Sequence, residues 1–300
     1  MTSLQPTKTR ELENHHMRSQ NWNDFKFRDD DVIVATYGKA GTTWTQWIVH
    51  QLLHGGELRT PAGQSMHEAS PWLDIRIVPL EAMTAALEAQ THRRVIKTHL
   101  PLDALVFSPK AKYLYVMRSG LDVAVSMHNH HSAANDMWYD ALNNTPNRVG
   151  PPIDRPNPDR AAYVRAFLDN DGAPFWSFYE NVRTWWQARD LPNVRLVHFA
   201  DLKKDLAGEM RKIAAFLEIE IDEAKFPAQL EHCTFDWMKT NAELVTPLGG
   251  AVFEGGAKAF INKGENKKWV DLLTPEEVAR YEQRCVAELG AECAAFLNRF

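Results

Sequence analysis

The chain has 300 residues, of which 44% are hydrophobic and 24% charged, and this length suits a single domain with one well-buried core. A formal net charge of −5 argues against a protein that binds nucleic acid or anionic membranes through a broadly basic surface. The apolar runs are too short to span a bilayer, the polar start does not resemble a signal peptide, and the three cysteines form no CxxC pair. We therefore expect a soluble cytoplasmic protein, with residues 1–21 flexible and with neither nucleic acid nor membrane as partner.

Four short apolar segments rich in β-branched residues predict strands, at Val32–Thr36, Arg93–Lys97, Lys112–Met117 and Val194–Phe199. Helical patterns follow three of them, over Thr42–His54, from near Asp122, and over about Asp205–Leu217. Strands that alternate with helices indicate parallel pairing. The sequence therefore predicts an α/β fold, a single domain over residues 1–300 with a central, mostly parallel sheet flanked by helices.

Residues 129–174 interrupt this alternation with a long segment rich in asparagine and proline. Long excursions in α/β enzymes are candidates for a lid or for one wall of a substrate site. Aromatic residues in or near the segment, Trp138, Tyr139, Phe175 and Phe178, suggest an apolar pocket. We expect this excursion to form a lid or to enclose part of the bound substrate.

Three predicted strands end in residues that suit an anionic nucleotide. The first is followed by the glycine-containing loop 37–41 and by Thr42 and Thr43, which begin a helix whose amino end attracts phosphate. The second ends in Lys97-Thr98-His99, and the third in Arg118. Ligands of open α/β sheets lie beyond the carboxyl ends of the strands, so these groups are expected to form one site.

The first loop is P-loop-like but departs from the pattern of nucleoside triphosphatases. Lys39 precedes the second glycine, Gly41, whereas in G-x-x-x-x-G-K-[ST] the lysine follows it. The sequence also lacks an acidic residue that ends an apolar strand in the manner of a Walker B motif. A small-molecule kinase that uses ATP and Mg²⁺ is therefore a weaker alternative.

Four motifs, in order, resemble those of the cytosolic sulfotransferases over about residues 22–274. Thr36–Trp44 resembles the 5′-phosphosulfate loop T-Y-P-K-S-G-T-T-W, and Lys97–Pro101 is similar to the catalytic K-T/S-H-L-P segment. Tyr115–Arg118 with Asp122–Ser126 resembles the 3′-phosphate segment, and Phe260–Gly264 with Trp269 resembles F-M-R-K-G-x-x-G-x-W. The resemblance implies a P-loop-like phosphosulfate-binding fold and a PAPS-dependent enzyme (PAPS is 3′-phosphoadenosine 5′-phosphosulfate).

The implied reaction is in-line transfer of a sulfonate from PAPS to the hydroxyl of a small, hydrophobic alcohol or phenol, with release of adenosine 3′,5′-bisphosphate (PAP). The resemblance makes His99 the general base, and makes Lys97 and Lys39 the cations that stabilise the moving charge, with no metal required. The implied cofactor-binding residues are Lys39, Ala40, Gly41, Thr42, Thr43, Trp44, Arg118, Ser126, Phe199, Cys233, Phe235, Phe260, Asn262, Lys263 and Gly264.

The chain departs from the family pattern at three positions of the implied cofactor site. Gly38 replaces a proline, Phe199 replaces a tyrosine, and Asn262 replaces an arginine, which removes one charge near the 3′-phosphate unless Lys267 or Lys268 compensates. The family's dimerisation motif after Trp269 is not preserved, so a homodimer formed through that motif is not expected.

Two further hypotheses concern binding without catalysis and metal binding. A non-catalytic nucleotide-binding module is disfavoured by the intact Lys39, Lys97 and His99. His128, His130 and His131 suggest a metal site, but their spacing does not place all three on one helix face, and no cysteine or acidic cluster completes a ligand set. We predict no metal site, and we expect these histidines to belong to a polar lid or to face the acceptor.

Overall fold

The computed structural model describes residues 5–262 and 264–300, so the predicted cofactor-binding residue Lys263 lies outside the described residues. The described chain forms one four-stranded sheet in the order β2-β1-β3-β4, in which every neighbouring pair is parallel. The strands are β1 (Val32–Thr36), β2 (Val95–Thr98), β3 (Lys112–Met117) and β4 (Val194–His198). This confirms the predicted α/β fold.

Helices cover both faces of the sheet. In the described part of the chain they are α1 (Thr42–Leu53), α2 (Met66–Ala69), α3 (Leu80–Glu88), α4 (Gly120–Ala133), α5 (Asp136–Asn143), α6 (Arg160–Asp169), α7 (Phe178–Gln187), α8 (Phe199–Lys204), α9 (Leu206–Leu217), α10 (Phe226–His232), α11 (Phe235–Thr240), α12 (Ala242–Val245), α13 (Ala257–Phe260), α14 (Pro275–Leu289) and α15 (Ala291–Leu297). Short 3₁₀ helices lie at Ser19–Trp22, Leu102–Ala104 and Pro247–Gly250. None of the helices in the described ranges combines the length and the apolar character needed to cross a bilayer.

Strands β1 and β3 have the predicted bounds, whereas the other two differ at their ends. Strand β2 covers Val95–Thr98 rather than Arg93–Lys97, and Arg94, just before it, forms a buried ion pair with Asp31. Strand β4 ends at His198, and Phe199 begins α8, since the His198 ring accepts the backbone N–H of Ala200 as a helix cap. The prediction that Phe199 ends a strand is therefore wrong.

The sheet is buried on both faces because alternate side chains of each strand enter two separate cores. On one face, Val34, Leu114 and Val116 pack with residues of α1, α9 and α10. On the other, Ile33 and Tyr115 pack with residues of α4, α7, α14 and α15. The result is a three-layer structure in which the carboxyl ends of the strands are left to the loops.

The strand order creates a crevice at one edge of the sheet. The chain leaves β1 towards β2 on one side and leaves β3 towards β4 on the other, although β1 and β3 are neighbours. Connections that diverge from adjacent strands in this way open a space beyond their carboxyl ends. The loops after β1 and β3 therefore meet there.

The excursion at residues 129–174 is largely helical. Its first residues belong to α4, and it continues through α5 and α6, which buries Tyr163 and Phe167 against the fold. At the start of the chain, residues 5–21 lie against the same side: Met17 is buried, and the Asn21 amide donates to the carbonyl of Leu73. Both segments thus reach the crevice.

A buried ion pair ties the start of β1 to the start of β2. The Asp31 carboxylate accepts two hydrogen bonds from Arg94, at 2.7 and 2.6 Å, and both side chains have no solvent exposure. Removing Asp31 would leave the buried Arg94 guanidinium with the exposed carboxylate of Glu88, at 3.1 Å, as its remaining ion-pair partner in the described chain.

We expect Asp31→Ala to lower the free energy of unfolding by about 3 kcal/mol, the lower end of the range for a broken buried ion pair, as measured by urea denaturation. The adjacent, exposed Asp30 provides the control: Asp30→Ala should change the free energy by less than about 0.5 kcal/mol, and equal losses in both variants would contradict this assignment.

Candidate active site

One cavity of about 710 Å³ lies at the carboxyl edge of the sheet. Its cationic half is formed by the loops after β1 and β3, the start of α8, and residues 260–262 and 264–268. Its residues include Lys39, Thr42, Arg118, Ser126 and Lys268. Its aromatic half is formed by loops and by the excursion, and its residues include Trp72, Trp138, Phe175, Trp176 and Phe253. Lys97 and His99, at the end of β2, also line this cavity.

The loop after β1 presents free backbone amides to the cationic half. Gly41 caps α1 with φ +123°, a conformation that favours glycine, and a Cβ atom there would lie 3.0 Å from the Phe199 ring. No side chain caps the amino end of α1, and its first turn holds no acidic residue. The unsatisfied amides and the helix dipole together attract an anion.

Lys39 lies in the same loop as a buried cation. Its Nζ is 4.2 Å from the centroid of the Phe260 ring, and it forms no ion pair within the described chain. Burial, together with the nearby cations Lys97 and Arg118, lowers the pKa of Lys39 to about 7. A lysine in this state gains its full charge when an anion arrives beside it.

Lys97 is held at the boundary between the two halves. Its Nζ lies 4.3 Å from the centroid of the Trp72 ring. Burial lowers the pKa of Lys97 to about 8, and the carboxylate of Asp74 opposes that shift. Asp74 itself is fully buried and accepts hydrogen bonds from the indole N–H of Trp72 at 2.7 Å and from the backbone N–H of His99 at 3.2 Å. Asp74 thus acts on both Lys97 and His99: its charge favours the protonated form of Lys97, and its carboxylate holds the backbone N–H of His99.

The ring of His99 is held in one tautomer. Its Nδ1 lies 2.7 Å from the carbonyl oxygen of Thr36, which can only accept a hydrogen bond, so Nδ1 carries the proton. The Nε2 atom therefore bears a lone pair, and it has no protein partner within the described residues. Burial, followed by the charge of Lys97, holds the pKa of His99 well below its ordinary value, so the ring is neutral. This is the state required of a proton acceptor.

The segment after α13 completes the cationic half around Arg118. The Arg118 guanidinium lies 4.0 Å from the centroid of the Phe199 ring and donates to the Glu265 carbonyl at 2.9 Å. Its Nε is buried without a partner in the described chain, and burial lowers the pKa of Arg118 to about 10. Ser126, nearly two turns into α4, lines the same region.

Two lysines lie beside Asn262, where the family pattern has an arginine. Lys239 donates to the Asn262 carbonyl at 2.8 Å, and Lys268 lies 3.4 Å from its side-chain oxygen. Lys267 instead places its Nζ 5.0 Å from the centroid of the Phe300 ring. Lys268 is therefore the better placed of the two lysines that were considered as replacements for the missing charge.

The implied cofactor-binding residues divide into those that line the cavity and those that support it. Trp44 and Phe235 line it, whereas Cys233 is fully buried behind Trp44 and accepts the Trp44 indole N–H through its carbonyl at 2.8 Å. Gly264 has φ +56°, and a Cβ atom there would lie 2.7 Å from the Phe235 ring. Ala40 is also buried in the core rather than in the cavity wall.

The aromatic half contains residues to which the sequence motifs assigned no role. His16 enters from the start of the chain and Trp72 from the loop before β2, and both line the cavity. Trp138 and Phe175 lie in the wall as expected, whereas Tyr139 and Phe178 do not line it. His16, Trp72 and Asp74 lie in irregular segments, where no periodic pattern reveals which side chains face inward.

The three histidines of α4 point to different places. His128 hydrogen-bonds to the Asn157 carbonyl at 3.0 Å, His131 stacks on Tyr139, and only His130 lines the cavity. In the described ranges, no group of three or more histidine, cysteine or acidic side chains is arranged to hold a metal ion.

A parallel α/β sheet with an uncapped helix terminus, buried lysines and an oriented imidazole at its carboxyl edge defines a nucleotide-dependent group-transfer site. Residues 29–292 match the sulfotransferase domain, so the chain belongs to the sulfotransferase family. It is a PAPS-dependent sulfotransferase, as the motifs predicted.

Related proteins match along most of the chain. A glycolipid sulfotransferase of Mycobacterium bovis is 31% identical, with 88% of this chain and 86% of the relative covered. Sulfotransferase 1B1 of Canis lupus familiaris is 27% identical over the same shares of both chains. The crystal structure of mouse sulfotransferase SULT7A1 complexed with PAP shares the fold, with a TM-score of 0.67, 21% identity, and coverage of 93% of this chain and 90% of that one.

We expect the pKa values of Lys39 and Lys97 to make PAP binding dependent on pH. An anion favours the charged lysines, so binding takes up protons once the pH exceeds the values of about 7 and about 8 in the free protein. Affinity for PAP should be full below pH 7 and should fall above it, by up to about tenfold per pH unit for each proton taken up.

Calorimetry at pH 8 in buffers of different ionisation enthalpy measures this uptake directly. When PAP binds, the parent protein should take up about one proton or more, and the Lys39→Met variant should take up nearly one proton fewer than the parent. Lys258→Met, which removes an exposed lysine outside the cavity, is the matched control and should match the parent. Binding by the parent without proton uptake would show that the two lysines are already charged.

Proposed function

We propose that the enzyme transfers a sulfonate from PAPS to the hydroxyl of a small, hydrophobic alcohol or phenol, with His99 as general base, and releases PAP. The observation that carries this proposal is the state of His99. Its Nδ1–H donates to the Thr36 carbonyl at 2.7 Å, so Nε2 of the neutral ring bears a lone pair. This ring lies in a cavity that is cationic on one side and aromatic on the other.

The cationic half suits the donor. Sulfonate transfer resembles phosphoryl transfer, in which charge spreads over the equatorial oxygens while nucleophile and leaving group lie in line. Lys39, the amides at the start of α1 and Lys97 would stabilise that charge and the bridging oxygen that leaves with PAP. Arg118, Ser126 and the segment around Asn262 and Gly264 would bind the 3′-phosphate, and Trp44 and Phe235 would contact the adenine.

The proton of the acceptor hydroxyl would pass to His99 Nε2 as the oxygen attacks sulfur. Histidine has an unperturbed pKa of about 6.5, and the neutral ring is the form that accepts a proton. Burial and the charge of Lys97 lower the pKa of His99 and so maintain that form. The carbonyl of Thr36 would stabilise the imidazolium that forms, because Nδ1–H continues to donate to it.

The aromatic half supports a hydrophobic acceptor. Trp72 lies with its ring centroid 4.8 Å from that of His99, and Trp176 lies 5.7 Å away, so a ring or chain bound there would place its hydroxyl beside the base. Exposed apolar side chains continue this surface to the rim, including Met137 and Leu248. The mycobacterial relative is named for glycolipids, which also join hydroxyl groups to an apolar part.

Replacing the base should separate chemistry from cofactor binding. His99→Gln is expected to lower kcat by about 10²–10⁴-fold with any accepted alcohol, because an amide cannot take up the proton that the imidazole Nε2 would accept. The dissociation constant for PAP should change by less than about threefold. His92→Gln, at a half-buried histidine outside the cavity, should retain the parent kcat. Full activity in His99→Gln would remove His99 from the role of base.

In the proposed mechanism, Lys39 and Lys97 stabilise the transition-state charge that a metal ion stabilises in other transferases. Transfer from PAPS should therefore continue at the same rate, within about twofold, after dialysis against EDTA and with EDTA in the assay. Loss of activity that added Mg²⁺ or Zn²⁺ restores would overturn this part of the mechanism. Preference for ATP and Mg²⁺ over PAPS would instead support a kinase.

A further inference from the structure

A second imidazole in the cavity has a use that the proposed reaction does not require. His16 lines the aromatic half, is 7% exposed, and is fixed through its backbone. Its N–H donates to the Asn14 side-chain oxygen at 2.8 Å, and its carbonyl accepts from the Arg76 N–H at 2.9 Å. The backbone that carries the ring is therefore held in place before any ligand binds.

A chain of two hydrogen bonds sets the tautomer of His16. The Nε2 of His15 lies 2.7 Å from the Pro174 carbonyl, which can only accept, so His15 carries its proton on Nε2. The Nδ1 of neutral His15 is then a lone pair, and it lies 2.6 Å from the Nδ1 of His16. His16 must donate from Nδ1, which leaves its Nε2 as a hydrogen-bond acceptor.

Both rings of the pair are neutral. Burial is the largest cause that lowers the pKa of His15 and the pKa of His16, and nearby positive charge adds to it, from Arg76 beside His15 and from Lys97 beside His16. The Nε2 of His16 has no protein partner within residues 5–262 and 264–300. The cavity thus contains a hydrogen-bond acceptor, His16 Nε2, that no donor of the described chain contacts.

His16 and His99 lie on the same pair of indoles. The His16 ring is 6.3 Å from Trp72 and 5.9 Å from Trp176, measured between centroids, and His99 is 4.8 and 5.7 Å from the same two rings. A flat or cyclic molecule against these indoles would therefore reach both imidazoles, each with Nε2 as acceptor.

We propose that His16 Nε2 accepts a hydrogen bond from a second hydroxyl of the acceptor, so that the enzyme selects cyclic diols over the corresponding single alcohols. One hydroxyl lies at His99 and is sulfonated, while the other lies at His16 and orients the ring. The inference rests on the proposed function, because it concerns the acceptor of that reaction. An aromatic diol and a sugar ring share the required chemistry.

Two matched acceptor sets test this selection with PAPS as donor. The aromatic set is 2-naphthol with three dihydroxynaphthalenes that differ in hydroxyl spacing, and the sugar set is 1-octanol with octyl glucoside. For each acceptor, kcat/KM is divided by the number of hydroxyl groups. The readout is the ratio of this value for the diol to the value for the single alcohol. The parent should favour at least one diol by about five- to tenfold, the size expected of one hydrogen bond. A preference for the diol in only one of the two sets would show whether the acceptor ring is aromatic or a sugar.

The variants separate a polar contact from packing. His16→Phe retains an aromatic ring without an acceptor nitrogen and should reduce the ratio to about one, whereas His16→Gln retains an acceptor oxygen and should keep part of the preference. His16→Leu serves as a second apolar replacement if His16→Phe does not fold, and thermal stabilisation by PAP identifies the folded variants. His54→Phe, at a histidine outside the cavity, should leave the ratio at the parent value.

Two results overturn the inference in distinguishable ways. A parent enzyme that sulfonates 2-naphthol without favouring any diol, or a preference that persists in His16→Phe, removes the role of His16 and leaves the proposed function intact. PAP binding without sulfonation of any member of either set overturns the proposed function and this inference together.

Discussion

Three cations buried beside one cavity are the constraint on which the site depends. Lys39, Lys97 and Arg118 form no ion pair within the described chain, and each lies over an aromatic ring, at 4.2, 4.3 and 4.0 Å from the centroids of Phe260, Trp72 and Phe199. Burial of unpaired charge costs free energy, and the negative faces of the rings offset only part of that cost. The remainder would be released if an anionic nucleotide bound beside these cations, as the proposed function requires.

The register of the sheet brings these groups together. Ala35 of β1 pairs with Thr98 of β2, so the next residues along each strand, Thr36 and His99, are neighbours. Thr36 also pairs with Val116 of β3, two residues before Arg118. The neighbouring positions of His99, its carbonyl partner Thr36 and the third cation, Arg118, therefore follow from parallel pairing. A shift of one residue in either pairing would turn the corresponding side chain to the other face of the sheet.

In the proposed function, the two histidines whose Nε2 has no partner in the described chain would divide the aromatic half between reaction and recognition. His99 owes its tautomer to a backbone carbonyl of β1, at the edge of the sheet. His16 owes its tautomer to His15 and to the Pro174 carbonyl at the end of the excursion. A base at His99 would be positioned by the sheet, the most rigid part of the fold. An acceptor-binding residue at His16 would lie between loops, which vary more among related proteins than the elements they connect.

The sequence by itself determined the fold class, the bounds of β1 and β3, and the family, because strand patterns and phosphate-binding loops depend on local residue order. It also predicted that Lys39, Lys97, His99 and Arg118, each in a contiguous motif, lie in one site, and all four line the cavity. Only the tertiary structure brought in His16, Trp72 and Asp74, and only it separated Trp44 and Phe235, which line the cavity, from Cys233 behind them. His16, Trp72 and Asp74 lie in irregular segments whose side-chain directions follow no period, so long-range packing alone decided that His16 and Trp72 face the cavity.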